Sequence, residues 1–497
     1  MPRRLLLACI LAVSAAAHLK GIAAPVLDYH YHRQTNTAAI ARNFHRRALP
    51  PWSPRVDWEG GRDELAGTEL PLYMWLVGLL WPVLGLGERW GRLLSAACSA
   101  LTAVVLFAFL ERRPGAGPGA PETGWLETPP AFLAALFFSV LPVEVYFGRT
   151  VQPEALALLG TVAALWAFDR YLAAGGPVRW AWWAATVLSA AVAIGLKLPY
   201  LYLIGVLGVL ALARRGKAAL GSLPIWLVPA GTLALVWAWY AHAATGTYVV
   251  PTSSSTHVYK TFFQLDRYPY FVFFQLFSRL PELALTYPGV LFFVAGAREL
   301  AARRAWFLGG WWLCVLVTLI AGGAYTHHHE YTALPWAPVN AAFIGTGFWT
   351  LWRAAASGGR AWAKPALAVL ALGMPVHAAL RIPHWYRLNF PYLLSLKPVV
   401  DRVSRPEDLF VCNERASSLI LYFIDRRGWS WDLAENAPSA PGRVEALAAE
   451  GARFFLTPRA GAFASASDPL AAELLDRYPV VHQDADVLIL DLRGARR

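Results

Sequence analysis

Polar side chains able to do chemistry gather near the start of the chain, in the stretch Asp28–Arg47. Asp28 follows an apolar segment and opens the run Asp-Tyr-His-Tyr-His-Arg-Gln. A carboxylate near a membrane interface can accept a proton from a hydroxyl group, while neighbouring cations hold a phosphate. A helix after Asp28 would present Arg42, His45 and Arg46 around the same site. The alternative interpretation of Asp28 is an exposed loop acid at the end of a helix.

Two further acids lie beside apolar segments and are candidates for the same compartment. Glu154 opens a segment after the pair Gly148-Arg149, where its carboxylate could equally cap a helix, since helix N-termini favour negative charge. Glu69 precedes Leu-Pro at the start of another apolar run, where an interfacial helix cap is the alternative. Lys197 lies between two apolar segments, where a cation is costly unless it is paired or snorkels, and it could serve a lipid phosphate.

One histidine cluster has the residue types of a metal site. The run His327-His328-His329-Glu330-Tyr331 offers nitrogen and oxygen ligands of the kinds that zinc binds. Adjacent histidines in a loop more often form a solvated or phosphate-facing cluster. The sequence leaves both interpretations open.

The composition predicts that membrane-spanning helices position these residues. Of the 497 residues, 57% are hydrophobic and 23 are Trp, and the mean hydropathy is +0.41. A soluble globular chain is less apolar than this, so we expect a polytopic membrane protein. The formal net charge of +12 comes largely from Lys and Arg in short clusters between apolar segments. This distribution fits the positive-inside rule and argues against a nucleic-acid partner.

Basic clusters set the expected orientation, because connections rich in Lys and Arg stay in the cytoplasm. Apolar runs of about 17–25 residues predict about eleven spans in the cytoplasmic (inner) membrane, beginning with an uncleaved first span, Leu5–Ala24. Three apolar runs precede the second basic cluster, so one of them cannot cross. Leu70–Leu86 is the shortest and contains two prolines, and we expect a juxtamembrane or re-entrant helix on the outer face. This assignment puts Asp28, Glu69, Glu154 and the histidine cluster on the outer side.

The composition changes after His384, which divides the chain into a membrane part, residues 1–384 with a first outer loop at 25–88, and a tail, residues 385–497. Short apolar runs and two helical patterns predict a small α/β domain outside the membrane. The predicted strands are Leu409–Cys412, Leu419–Ile424, Arg453–Leu456, Val480–His482 and Val487–Leu490, and the predicted helices are Arg443–Glu450 and Pro469–Arg477. The tail lacks a Gly-rich phosphate loop, a metal-ligand spacing and a nucleophile elbow, so we expect an accessory or acceptor-positioning role.

Several of these motifs together resemble bacterial relatives of the protein O-mannosyltransferases. The resemblance rests on Asp28 with the later Arg-Gln and Thr-Ala-Ala-Ile-Ala-Arg-Asn-Phe, on Thr-Glu-Leu-Pro-Leu-Tyr at Thr68–Tyr73, on Gly-Arg and Pro-Glu within Gly148–Glu154, and on His-Glu-Tyr at His329–Tyr331. It is most specific over Leu5–Tyr200, weaker through Trp352 and absent as a motif from the tail. These relatives belong to the GT-C class of membrane glycosyltransferases, which also contains the lipid A aminoarabinose transferases.

The resemblance implies an α-helical membrane enzyme that takes a sugar from a polyprenyl-phosphate carrier. It would pass the sugar to an acceptor on the extracytoplasmic face, usually with inversion at the anomeric carbon. By the same resemblance, Asp28 would be the general base, and Glu154 would assist in positioning or in binding a metal. Glu69 would bind a divalent metal ion near the carrier phosphate, with His257 as its partner ligand.

The resemblance also implies which residues bind the donor. Arg33, Lys197 and His329 would stabilise the charge that develops on the leaving phosphate. The substrate-binding residues would be His32, Arg149 and Tyr331. This sequence departs from the eukaryotic-like pattern, in which two acids stand together in the first loop, because Asp28 is followed by Tyr29. The acceptor, a glycan, lipid or protein of the cell envelope, is not identified by any motif.

Two other functions fit a chain with many spans. A transporter or flippase would move a lipid-linked sugar without breaking it, but transporters tend to have inverted repeats and ionisable groups near mid-membrane. An envelope scaffold whose tail binds a partner would need far fewer spans as an anchor. Because the acids are expected at the outer ends of spans, we favour the transferase.

Overall fold

The computed structural model describes residues 2–58, 60–62, 65–113, 123–246, 248–249, 267–358, 360–414, 417–432, 440–459, 463 and 469–494. The chain divides into two compact units. The first, which we call the helical unit, comprises Met1–Ala23, Gly67–Tyr73 and Arg89–Trp385, and the second, which we call the mixed unit, comprises Ala24–Ala66, Met74–Glu88 and Tyr386–Arg497. Most of the predicted first outer loop therefore groups with the tail, and the domain division at residue 384 stays a prediction.

Helices dominate the chain up to residue 385. They are α1 (Arg3–His18), α2 (Tyr31–Arg47), α3 (Leu72–Leu84), α4 (Glu88–Leu110), α5 (Thr128–Phe138), α6 (Pro142–Phe147), α7 (Glu154–Ala173), α8 (Val178–Leu196), α9 (Tyr202–Arg215), α10 (Leu223–Ala243), α11 (Tyr268–Phe274), α12 (Tyr287–Ala302), α13 (Trp306–Ala321), α14 (Gly323–His328), α15 (Ala337–Ser357) and α16 (Ala363–Arg381). Short 3-10 segments lie at Leu198–Leu201, Gly216–Ala219, Glu330–Trp336 and Pro383–Tyr386, and a π-helical segment, Gln275–Leu285, continues α11. Two-residue strands lie at Ala66–Gly67 (β1) and Tyr248–Val249 (β2).

Six helices among the described residues are long and apolar enough to cross a membrane. They are α4, α7, α8, the segment Leu198–Ala219, α10 and α16. A seventh crossing is counted if Tyr268–Leu285 and Tyr287–Ala302, which are bent by 103°, form one span. Thr286 separates the two with a φ of 70°, and its hydroxyl accepts a hydrogen bond from the Gly289 N–H. The helical unit thus has the segments of a multi-pass membrane protein, while the total of about eleven spans stays a prediction.

Helix α3 is the helical part of the run that was expected not to cross, Leu70–Leu86. Its 13 residues extend roughly 20 Å at 1.5 Å per residue. The hydrocarbon core of a bilayer is ~30 Å thick. Helix α3 is therefore too short to cross as a straight helix, and its location on the outer face stays a prediction.

Glycines let helices of the helical unit approach closely. A Cβ on Gly296 of α12 would collide with the carbonyl oxygen of Phe343 in α15, and a Cβ on Gly347 of α15 would collide with that of Phe292 in α12. Gly345 gives α15 a similar close approach to the backbone of α5. In lipid the hydrophobic effect does not drive helices together, so close van der Waals packing at small residues holds them.

The tail part of the mixed unit contains α17 (Leu393–Val403), β3 (Leu409–Cys412), α18 (Leu419–Ile424), β4 (Gly428–Ser430), α19 (Ala440–Ala449), β5 (Ala452–Pro458), α20 (Pro469–Arg477), β6 (Val480–Gln483) and β7 (Val487–Asp491). The strands form a sheet in the order β4-β3-β5-β7-β6. Strand β3 runs parallel to β4 and β5, and β7 runs antiparallel to β5 and β6. Val411, Phe455 and Leu490 of the sheet form an apolar core with Leu447 of α19 and Leu474 of α20.

One predicted strand of the tail is wrong. Leu419–Ile424 is helix α18, and the strand beside β3 is the unpredicted Gly428–Ser430. A six-residue apolar run carries no period that separates a strand from a buried helix. The structure supplies the deciding contact, because the Glu414 carboxylate accepts a hydrogen bond from the Ile420 N–H at 3.0 Å. An acceptor oxygen at that place satisfies one of the backbone N–H groups that have no partner within the first turn of a helix.

Gly296→Ala tests the packing of α12 against α15. We expect it to lower the thermal unfolding temperature in detergent by several degrees, because overpacking costs about 1–3 kcal/mol. Gly309→Ala in α13 is the matched control, since nothing lies within 4 Å of a Cβ at that position. Equal unfolding temperatures for the two variants would contradict the close approach.

Burial raises the pKa of Glu414 from 4.5 to about 8, although the Ile420 N–H and the hydroxyls of Ser430 and Ser417 oppose the shift. The folded state therefore keeps a proton that the unfolded state releases above about pH 4.5. Its contribution to stability is fully present below that pH and is lost as the pH rises through about 8. We expect wild type to lose stability relative to Glu414→Gln across this range, measured as the difference in unfolding temperature. A difference that does not change with pH would contradict the burial of a protonated Glu414.

Candidate active site

Asp28 is held in a turn just ahead of α2. His30 adopts a left-handed conformation (φ 59°, ψ 34°), which is uncommon for residues other than glycine, and the helix begins at the next residue. From the first turn of α2, Gln34 Nε2 donates hydrogen bonds to Asp28 Oδ1 at 2.6 Å and to Tyr29 O at 2.9 Å. Asp28 is fully buried. It is therefore not the exposed loop acid of the alternative interpretation.

His32 and Arg33 lie in the same first turn of α2, and both side chains are half-buried. His32 Nδ1 lies 3.1 Å from Ser417 Oγ, although the two residues are far apart in sequence. The Arg33 carbonyl accepts a hydrogen bond from Thr37 Oγ1 at 3.0 Å within the helix. Three of the predicted site residues thus share one short segment of the mixed unit.

The expectation that Arg42, His45 and Arg46 surround Asp28 is wrong. Arg42 Nη2 donates to Asp57 Oδ2 at 2.9 Å and Nη1 to the Tyr422 carbonyl at 2.8 Å. Arg46 pairs with Asp425, and the ring of His45 packs edge-on against Trp81. Helix α2 rises 1.5 Å per residue, which puts its second half roughly 16 Å from its start. These three side chains make contacts within the mixed unit away from Asp28.

Glu154, Lys197 and Glu69 form a buried ion cluster in the helical unit. Lys197 Nζ lies 2.7 Å from Glu154 Oε1 and 3.8 Å from Glu69 Oε1. The side chains of Glu154, Lys197 and Glu69 are 1%, 6% and 11% exposed. Glu154 and Lys197 also line a cavity of about 30 Å³, together with Tyr200 and Tyr331. A cavity of that size can hold a water molecule.

Two prolines set the backbone around this cluster. Pro153 precedes Glu154, the first residue of α7, and Pro199 lies two residues after Lys197. Because proline lacks an N–H, Pro199 cannot continue the hydrogen-bond ladder of α8. Lys197 is extended (φ −153°, ψ 106°) at the end of that helix. No backbone N–H in the described part of the chain bonds to the Glu154 carboxylate, so the ion pair rather than helix capping holds it.

An aromatic segment after α14 adjoins the cluster. The Tyr331 ring centroid lies 5.5 Å from Lys197 Nζ, a cation–π distance, and the His329 ring stacks on Tyr331 at 5.1 Å. Arg279 Nη1 donates to the His329 carbonyl at 2.8 Å and Nη2 to the His327 carbonyl at 2.7 Å. Five predicted site residues therefore lie together in the helical unit: Glu69, Glu154, Lys197, His329 and Tyr331.

The described residues around Glu69 do not fit a metal site. No group of three His, Cys, Asp or Glu side chains that could hold a metal ion is found where the structure describes the chain, and this applies to the histidine cluster as well. The Lys197 ammonium, 3.8 Å from Glu69, would repel a second cation on the same carboxylate. His257, the other predicted ligand, lies outside the described residues.

Arg149 is fully buried in the helical unit and lies between α6 and α7. Its Nη1 donates to the Gly21 carbonyl at 3.1 Å, and its guanidinium lies 4.8 Å from the centroid of the Tyr146 ring. Arg149 thus ties the chain after α1 to the chain after α6. Its predicted contact with substrate stays a prediction.

The sequence analysis missed a buried polar pair, His18 and Glu144. His18 Nδ1 lies 2.6 Å from the Ser14 carbonyl, and Nε2 lies 3.1 Å from the Glu144 carbonyl and 3.9 Å from Glu144 Oε1. Gly148 packs so tightly against His18 and Ser99 that a Cβ would collide with both side chains. The available signal was Glu144 itself, an ionisable residue inside an apolar run, because such residues in membrane segments are rare and paired.

Comparisons with known proteins identify the fold. No family model and no curated protein matches the sequence. The crystal structure of ArnT from Cupriavidus metallidurans bound to undecaprenyl phosphate is similar to 98% of this chain over 97% of its own, with a TM-score of 0.65 and 15% identity. Archaeal oligosaccharyltransferase AglB from Archaeoglobus fulgidus, in complex with an inhibitory peptide and a dolichol-phosphate, is similar to 92% of this chain over 70% of its own, with a TM-score of 0.57 and 12% identity. The chain therefore has the GT-C fold that the motifs predicted, while the total of about eleven spans and a separate domain formed by the tail outside the membrane stay predictions.

Proposed function

We propose that this protein is a membrane glycosyltransferase that transfers a sugar from a polyprenyl-phosphate-linked donor to an acceptor on the extracytoplasmic face. The observation that carries the proposal is the shared fold, which extends over nearly the whole of both chains, with a protein crystallised with undecaprenyl phosphate. The Lys197 ammonium of the buried cluster within that fold is a cation of the kind that stabilises a phosphate leaving group.

Asp28 is the proposed general base. In the reaction, the acceptor oxygen forms a bond to the anomeric carbon of the sugar as the bond from that carbon to the carrier phosphate breaks. The acceptor proton passes to the Asp28 carboxylate, and polyprenyl phosphate leaves with the electron pair. The hydrogen bond from Gln34 at 2.6 Å orients the carboxylate for this role.

Lys197 is the proposed electrostatic group for the leaving phosphate. Glu154 fixes the ammonium at 2.7 Å, and the Tyr331 ring covers it on another side. A cation that is already held in a buried place stabilises developing negative charge without reorganising during the reaction. We propose Arg33 and His329 as further phosphate-binding groups, and His32, Arg149 and Tyr331 as substrate-binding groups.

The proposed location is the cytoplasmic membrane, with the tail outside. Lys and Arg clusters between the apolar helices support this orientation through the positive-inside rule. The acceptor would then be a glycan, lipid or protein of the cell envelope. None of the described contacts favours the transporter alternative, so we do not pursue it.

Asp28→Asn should abolish transfer, because an amide cannot take the acceptor proton. Loss of a general base typically costs 10²–10⁴-fold in rate, so we expect at least about a 100-fold decrease. The assay measures transfer of label from a panel of radiolabelled polyprenyl-phosphate sugars to envelope fractions. Asp401→Asn, at an exposed carboxylate on α17, is the matched control and should transfer label like wild type. Asp28→Asn that is folded and turns over normally would remove Asp28 from the role of base.

The double variant Glu154→Gln with Lys197→Met separates catalysis from charge balance. Lys197→Met alone leaves buried Glu154 without its cation, which should destabilise the protein strongly. The double variant removes both charges of the closer pair and leaves Glu69, the most exposed of the three side chains, so we expect it to unfold nearer the wild-type temperature than Lys197→Met does but to transfer about 10²–10³-fold more slowly. If the double variant recovered transfer, Lys197 would serve only to neutralise Glu154, and its proposed contact with phosphate would be wrong.

A further inference from the structure

A glutamate side chain, Glu414, lies at the carboxyl ends of the parallel strands in the tail sheet. Glu414 lies two residues beyond the end of β3, and Ser430 ends the neighbouring strand β4. In open α/β sheets this edge is where ligands usually bind. Here the Glu414 carboxyl group fills it, and accepts hydrogen bonds from Ser430 Oγ at 3.2 Å, from the Ile420 N–H at 3.0 Å and from Ser417 Oγ at 3.4 Å.

The first turns of α2 dock at this same edge. His32 Nδ1 lies 3.1 Å from Ser417 Oγ, and Asn36 Oδ1 accepts a hydrogen bond from the Ser418 N–H at 2.7 Å. His32 and Asn36 are four residues apart and therefore lie on one face of the helix. A continuous polar path thus runs from Glu414 through Ser417 to His32.

A second attachment lies further along α2. Arg42 donates to the carbonyl of Tyr422, near the end of α18, and also pairs with Asp425 at 3.0 Å. Helix α18 is therefore joined to α2 near both of its ends, at Ser418 and at Tyr422. Two attachments fix the direction of α2 as well as its position, which one contact could not do.

We propose that Ser417 and Glu414 are positioning residues, and that the tail sets the placement of the first turn of α2, which carries His32 and the Gln34 that holds Asp28. This inference rests on the proposed function, because the residues that it positions are the proposed base and a proposed substrate-binding residue. It assigns the tail a part in catalysis through the edge of its sheet. A tail that served only as an accessory domain would not need Ser417 to contact α2.

A double-mutant cycle tests the proposal. Ser417→Ala should lower the rate of transfer about three- to tenfold, the range that corresponds to loss of one hydrogen bond. If Ser417 acts through His32, adding Ser417→Ala to His32→Ala should cause no further loss, because coupled residues are not additive. Ser417→Thr keeps the hydroxyl and should recover most of the wild-type rate. Additive losses in the double variant would overturn the proposal.

Ser404→Ala is the matched control. Its hydroxyl is half-buried and accepts a hydrogen bond from Arg426 at 3.2 Å within the tail, so Ser404→Ala likewise removes one serine hydroxyl from a tail contact. Its effect on transfer should be small, and the effect should add to that of His32→Ala. Equal loss of transfer in Ser404→Ala and Ser417→Ala would mean that the tail acts only through its stability, and would overturn the proposal.

Hydrogen exchange on the full-length protein gives a readout that does not depend on activity. Ser417→Ala should speed amide exchange in peptides that cover residues 31–36, while Ser404→Ala should not. If wild type transfers no sugar but the exchange result holds, the proposed function fails and the positioning of α2 stands. If wild type transfers sugar but exchange at α2 does not change, the positioning role fails.

Discussion

Burial of two carboxylates around a single ammonium is the interaction on which the candidate site of the helical unit depends. Removing a charge from water costs several kcal/mol even in a relaxed protein, and a partner offsets this only when the geometry is good. Lys197 meets this condition for Glu154 at 2.7 Å and only partly for Glu69 at 3.8 Å. With all three groups ionised, two carboxylates and one ammonium leave a net charge of −1. To bind an anionic phosphate, the Lys197 ammonium must therefore contact the phosphate and the two carboxylates at once. A substitution that removes the charge of either acid changes how strongly Lys197 attracts the phosphate.

This requirement places strict conditions on the chain. Helix α7 must begin where Glu154 can reach the ammonium, and α8 must end where Lys197 can leave the helix. Pro153 and Pro199 meet both conditions, because proline suits the start of a helical segment and cannot continue one. In the mixed unit, polar contacts rather than prolines fix the backbone near the site. The α2 segment that orients Asp28 is joined to the tail by side-chain hydrogen bonds.

Short-range patterns in the sequence predicted several individual helices and strands, because these elements form from residues that are close in sequence. Apolar runs located α1, which overlaps Leu5–Ala24, and α3, which lies within Leu70–Leu86, and short apolar runs with turn residues located most strands of the tail. The run Leu419–Ile424 failed because six apolar residues fit a strand and a helix equally. The strand Gly428–Ser430 was missed because three residues beside two arginines carry no pattern at all.

The sequence predicted which types of residue form the site, but it did not predict which residues they contact. A buried cation between apolar segments pointed to Lys197, yet its contacts with Glu69 and Glu154 depend on how distant helices pack. Arg42 fails for the same reason, because its partners lie 15 and 380 residues away. Contacts between residues so far apart in sequence produce no periodic pattern from which they could be predicted.

The measurement that tests the account most directly follows both products of one reaction. Purified protein in sealed vesicles would be given a polyprenyl-phosphate sugar labelled in the sugar and in the carrier, together with envelope acceptors. The account predicts that sugar label appears on an acceptor while an equal amount of sugar-free polyprenyl phosphate is released. Movement of intact donor across the vesicle membrane, with sugar and carrier still joined, would contradict it and would make the protein a transporter.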